Sequence, residues 1–162
     1  MLDGGTHDPL QPLDEQHGQI SEWASQMRAS AAFAHGLLTP GRVERLARFY
    51  RSKVLNHFRY EERVLFPALL EICGSPTLEE RFAAFISDHD ELRLRIEILL
   101  GDLGCLTSPG ADEALERSIV RRAQLTIDRL LEHAAAEDAL LMPLMERHGA
   151  AVPAVIARQA EG

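Results

Sequence analysis

Two segments of this 162-residue chain carry the same sparse pattern: His57-x-x-x-Glu61 with Pro67 six residues on, and His133-x-x-x-Glu137 with Pro143 six residues on. Residues four apart share one face of an α-helix, so each histidine projects beside its glutamate. The face of His57 also holds Leu46, Tyr50, Val54, Val64 and Ala68, and that of His133 holds Ile119, Thr126, Leu130, Leu140 and Leu144. Both pairs therefore point into an apolar core. A proline inside a helix removes a backbone hydrogen bond and favours a kink, so the matching prolines predict a shared bend beside the two pairs.

The other half of each repeat is a helix with a single inward histidine. His17 shares a stripe with Ile20, Ala24, Met27 and Ala31, and His89 shares one with Phe82, Phe85, Ile86, Leu92 and Ile96. The chain thus reads as a diverged duplication. The first helix is expected from about Asp14, its N-cap, to about Leu37, and Thr39-Pro40 opens a second that lasts to about Ile72. Gly74-Ser75-Pro76-Thr77 reads as a loop, with Thr77 and Glu80 as the capping box of a third helix that fades between Gly101 and Gly104. A break at Thr107-Ser108-Pro109-Gly110 precedes a fourth helix from about Ala111 to Arg147, stopped by Gly149. Four long helices joined by short loops predict an all-α, antiparallel, up-down-up-down four-helix bundle. The expected organisation is a flexible N-terminal arm over residues 1–12, the bundle over 13–148, and an irregular or single-turn tail over 149–162.

A formal net charge of −8 argues against non-specific binding to nucleic acid or an anionic membrane, since both need a basic surface. No apolar run is long enough to span a bilayer, and Met1 to Pro12 has no apolar core of a secretory signal. Cys73 and Cys105 flank the third helix, roughly 40 Å long at 1.5 Å per residue. A disulfide needs Cα atoms within about 7 Å, so both are expected as free thiols in a reducing cytoplasm.

Four imidazoles and two carboxylates inside one apolar core require a compensating charge. A lone inward histidine is usually a hydrogen-bonded core residue, but one per helix, two with a glutamate at matched spacing, points to metal. Nitrogen with carboxylate oxygen suits iron, manganese or zinc, whereas calcium and magnesium prefer oxygen alone. Six ligands exceed one tetrahedral zinc and serve two ions if each glutamate bridges.

His57-Phe58-x-x-Glu61-Glu62 with Leu65-Phe66-Pro67, Asp88-His89-Asp90-Glu91-Leu92, and His133-x-x-x-Glu137 with Pro143 together resemble the hemerythrin-like (HHE) cation-binding domain. The resemblance runs from about Leu13 to Arg147. It implies a bundle holding two non-haem iron ions, oxo- or hydroxo-bridged, with manganese or zinc as alternatives. His17, His57, His89 and His133 would be terminal ligands, and Glu61 and Glu137 bridges. Oxygen carriers of the family have a second third-helix histidine where this chain has Arg93, and a last carboxylate where it has Asp138; Glu137, on the histidine face, is the preferred ligand. The implied function is sensing or reacting with dioxygen, nitric oxide or peroxide, or a part in iron and redox homeostasis. The alternatives are a di-iron enzyme of peroxidase, oxidase or nitric-oxide reductase type, and an interaction module with a structural metal pair.

Other polar residues stand further off. His7 falls in the arm, His35 lies about 27 Å along the helix from His17, and His148 ends a helix. Tyr50, two turns before His57, is the one candidate proton donor. Lys53 and Arg129 each precede a site histidine by one turn, and both are expected to snorkel to solvent.

Overall fold

The computed structural model describes residues 13–29, 39–106 and 113–161. Among these there are five helices and no strand. They are α1 (Leu13–Ala29), α2 (residues 40–73), α3 (Pro76–Leu106), α4 (Glu113–His148) and α5 (Val152–Ala160). His7, His35, the side chain of Asp14, the expected end of the first helix and the 107–110 break lie outside the described residues.

Cross-helix contacts give the topology. His17 meets His57 and Trp23 meets Phe49, so α1 and α2 run antiparallel. Glu62 meets His89 and Phe66 meets Phe82, which reverses α3 against α2. Asp88 pairs with Arg129 and Asp102 with Arg122, which reverses α4 against α3. His17–Asp138 and Arg28–Asp128 close the ring. The expected up-down-up-down bundle is what forms.

α2 departs from a plain helix. Its α-helical pieces Pro40–Phe49, Leu55–Tyr60 and Phe66–Cys73 are separated by π-helical turns at Tyr50–Val54 and Glu61–Leu65. The Leu55 N–H donates to the Tyr50 carbonyl and the Phe66 N–H to the Glu61 carbonyl, each five residues back. One extra residue in the turn rotates the following face by about 100°. Leu65, Phe66 and Leu69 are therefore buried beside Ala68, while Val64, expected inward, is half-buried. The second π turn also leaves Pro67 at the start of the next α segment, where its missing N–H costs little. Pro143 instead sits inside α4 near its C-terminal end, with no π turn. The matched prolines do not produce matched local geometry.

Three boundaries also differ from expectation. Pro76 is the first residue of α3, and the Ser75 hydroxyl accepts the Leu78 N–H at 3.4 Å, so Ser75 rather than Thr77 caps the helix. Gly74, in the left-handed conformation at φ 56°, ends α2 just before it. α3 continues through Gly101 and Gly104 to Leu106, because an isolated glycine weakens a packed helix without stopping it. The tail forms α5 instead of irregular chain. Val152 and Val155 bury against the end of α2, and Glu71 binds both Arg158 and Gln159.

The core is split in two. One apolar cluster includes Leu46, Tyr50, Leu92, Ile96, Ile119 and Leu130; the other includes Leu69, Phe82, Phe85, Leu141 and Val155. A polar layer lies between them. Cys73 and Cys105 are free, as expected.

Candidate metal centre

The polar layer is made of the six side chains that the spacing singled out. His17, His57, His89 and His133 are at most 3 % exposed, and Glu61 and Glu137 at most 1 %. One helix of the bundle supplies each histidine, and α2 and α4 each add a glutamate one turn on. All four Nε2 atoms face the same centre. Glu61 Oε1 lies 3.2 Å from His17 and 3.1 Å from His57, while its Oε2 lies 3.4 Å from His89. Glu137 mirrors this, with Oε2 3.6 Å from His17 and Oε1 3.2 Å from His89 and 3.1 Å from His133. Each carboxylate thus straddles both histidine pairs. Two groupings have ligand atoms close enough for a metal ion: His17, His57, Glu61 and Glu137, and His89, His133 and Glu137. Glu137 belongs to both.

The outward Nδ1 of every histidine is held by a side chain on a neighbouring helix. His17 Nδ1 faces Asp138 Oδ1 at 2.5 Å, and His57 Nδ1 faces Gln16 Oε1 at 3.0 Å. His89 Nδ1 faces Glu62 Oε1 at 2.8 Å, and His133 Nδ1 faces Asp88 Oδ2 at 3.4 Å. Each Nδ1–H donates outward to an oxygen, which fixes the tautomer and leaves Nε2 as a lone pair toward the centre. The pattern follows the duplication. The residue before His17 or His89 holds the histidine of the next helix, and the residue after Glu61 or Glu137 holds the histidine of α3 or α1.

These donors fit a metal pair. The Nε2 atoms of His17 and His57 are 2.8 Å apart, and two lone pairs at that distance require a shared cation. Glu61 Oε2 and His133 Nε2 are buried without a hydrogen-bond partner, although orphaned buried polar atoms are rare. With protein groups alone, protons fill the role. Burial by itself would lower the His17 imidazole, but Asp138, Glu61 and Glu137 outweigh it and hold it at about 10. Burial would likewise lower His89, yet Glu137, Glu61 and Glu62 raise it. Burial would raise the Glu61 carboxyl, but the imidazoles of His57 and His17 hold it well below the usual carboxylate range.

An aromatic shell surrounds the layer. Phe58 stacks on His89 with centroids 4.1 Å apart, and Phe85 stands edge-on to His133 at 5.8 Å. Arg93, at the position of the oxygen carriers' extra histidine, donates to Glu62 at 2.6 Å and lies over Phe58. Arg129 donates to Asp88 at 2.8 Å, so it anchors the support of His133 rather than snorkelling freely. Lys53, its counterpart, is exposed. Tyr50 is fully buried with an unpartnered hydroxyl, and burial pushes its pKa up, which opposes proton release.

A protein-family profile, the Hemerythrin HHE cation binding domain, matches residues 8–107. The match covers more than half of the chain, which belongs to that family and carries a buried His/Glu cluster suited to metal cations. It reaches three of the four histidines and Glu61, while His133 and Glu137 lie beyond it. No curated protein and no solved structure matches the chain. Among the described residues, no helix is long and apolar enough to cross a membrane.

Gln16, Glu62, Asp88 and Asp138 were not legible as site residues. Asp138 lies about 100° round the helix from Glu137, off the ligand face. That rotation aims it at His17 of α1. The missed signal was adjacency, since each of the four is a direct sequence neighbour of a ligand candidate. Asp138→Ala should weaken metal affinity by about 10- to 100-fold while leaving the number of ions bound unchanged. Competition with a chromophoric chelator checks this; a lost ion would make Asp138 a ligand.

Proposed function

We propose that the chain is a non-haem di-iron protein that senses or reacts with dioxygen, nitric oxide or peroxide in the cytoplasm. His17, His57, His89 and His133 are the terminal ligands, and Glu61 and Glu137 the bridges. The observation that carries this reading is that each carboxylate presents one oxygen to the His17/His57 side and the other to the His89/His133 side. A carboxylate spanning two nitrogen pairs is the arrangement that di-iron sites in helical bundles use. Held by two histidines and the two carboxylates, each ion would be short of six protein ligands, which would leave room for water or a small molecule. Bound iron would supply the redox chemistry. The protein's part is to orient four imidazoles through their outward hydrogen bonds, and to keep bulk water out with Phe58, Phe66 and Phe85.

Anaerobic titration with ferrous ion is expected to saturate near two ions per chain, and nitric oxide added to the loaded protein should change its visible spectrum. Saturation at one ion, or a spectrum indifferent to both nitric oxide and oxygen, would overturn the proposal.

A further inference from the structure

On the outer side of His57, between α1 and α2, lies a cavity of about 220 Å³. Ile20, Trp23 and Phe49 form its apolar walls, Gln16 and His57 its inner end, and Lys53 its edge. Trp23 and Phe49 stack with centroids 3.4 Å apart and planes 10° from parallel, so the two rings form one aromatic unit of the wall. Trp23 also borders a second cavity of about 270 Å³ lined by Arg42 and Arg45. Arg42, Arg45, Phe49 and Lys53 follow one another at three- and four-residue steps, which places them along one side of α2.

Lys53 lines the first cavity, and Arg42 and Arg45 the second, in a chain of net charge −8. None of the three makes an ion pair among the described residues. The internal repeat makes the case of Lys53 specific. Arg129, its counterpart one turn before His133, is neutralised by Asp88. At the position matching Asp88 the first half has Gln16, an uncharged amide, so the charge of Lys53 has no built-in partner.

We propose that the cavity beside Lys53 binds a small amphipathic carboxylate. Its apolar body lies against Ile20, Trp23 and Phe49, and its carboxylate meets Lys53. The cavity is smaller than the roughly 300–1,000 Å³ that drug-sized ligands occupy, which limits the body to a short acyl chain or a single ring. Gln16 both closes the cavity and holds His57 Nδ1, so the occupant sits one side chain away from the metal centre. The site does not depend on which metal is bound.

Trp23 is the only tryptophan of the chain and reports on the cavity directly. The purified full-length, metal-loaded protein should be titrated with hexanoate and with neutral hexanamide while tryptophan fluorescence is read. The expected result is a saturable change with hexanoate and about three- to fivefold weaker binding of hexanamide, the size of a part-exposed ion pair. Lys53→Gln should weaken hexanoate to the level of hexanamide and leave metal content unchanged, since Lys53 is exposed and is not a ligand candidate. No saturable response to hexanoate, equal binding of acid and amide, or unaltered hexanoate binding by Lys53→Gln would each overturn the proposal. Fluorescence reads the cavity whatever the metal stoichiometry, so its failure is separable from failure of the di-iron reading.

Discussion

Replacing Glu137 by alanine is expected to reduce metal binding from two ions per chain to one or none. Glu137 is the one side chain common to both ligand groupings, with one oxygen toward His17 and the other toward His89 and His133. Without it, the centre-facing Nε2 atoms of the His89/His133 pair keep only Glu61 Oε2 as an anionic neighbour, at 3.4 Å from His89. The substitution removes a buried charge whose partners are the imidazoles, and both apolar clusters stay intact, so the helices should survive. Metal analysis after gel filtration, with circular dichroism to confirm helicity, is the measurement. A folded Glu137→Ala protein that retains two ions at unchanged affinity would remove Glu137 from the site. Asp138→Ala is the matched control, because its partner is an outward Nδ1 and not the centre.

Chelation of the metal should lower the melting temperature by about 10 °C. A ligand present at about 1,000 times its dissociation constant stabilises the native state by about 4 kcal/mol, and a chain of this size moves about 2–4 °C per kcal/mol. The effect should grow with pH. The His17 imidazole is held at about 10 against an ordinary 6.5, so a proton stands in for the metal there. A histidine whose folded pKa is raised stabilises the fold fully below its unfolded pKa and loses that contribution as pH climbs toward the folded value. Metal binding must also displace this proton, so affinity rises with pH. The gap between loaded and chelated protein is therefore expected to be wider at about pH 9 than at about pH 6. Scanning calorimetry at both values checks it; a gap that narrows with pH would mean that His17 is not displaced of its proton by the metal.

Much of the site could be read before any coordinates. Helical period is set by the backbone alone, so His-x-x-x-Glu on an apolar stripe already places two ligand candidates inside the core. The same period brought His17 and His89 inward with Ile20 and Leu92. The bundle followed from four such stripes and the short breaks between them. Net charge was equally a matter of composition. The cavity beside Lys53 is not legible in the sequence. Lys53 and Arg129 look alike in sequence, and only the opposing Gln16 and Asp88 separate them.

The tertiary structure decided what neighbouring helices do to one another. Gln16, Glu62, Asp88 and Asp138 sit one residue from a ligand candidate, hence about 100° off its face, which in isolation reads as a helix flank. Whether a flank meets solvent or the Nδ1 of another helix's histidine depends on which helix lies beside it and in which direction that helix runs. The π turns of α2 depend on packing in the same way. They rotate Leu65 and Phe66 into the core, a choice made by partners on other helices and invisible in local propensity. α5 exists because Val152 and Val155 find the open end of the second apolar cluster. Local spacing determined which six side chains turn inward, because it depends only on the helix itself. Their orientation and support, and the charge left unpaired beside them, depend on contacts between residues far apart in sequence, which only the packed bundle supplies.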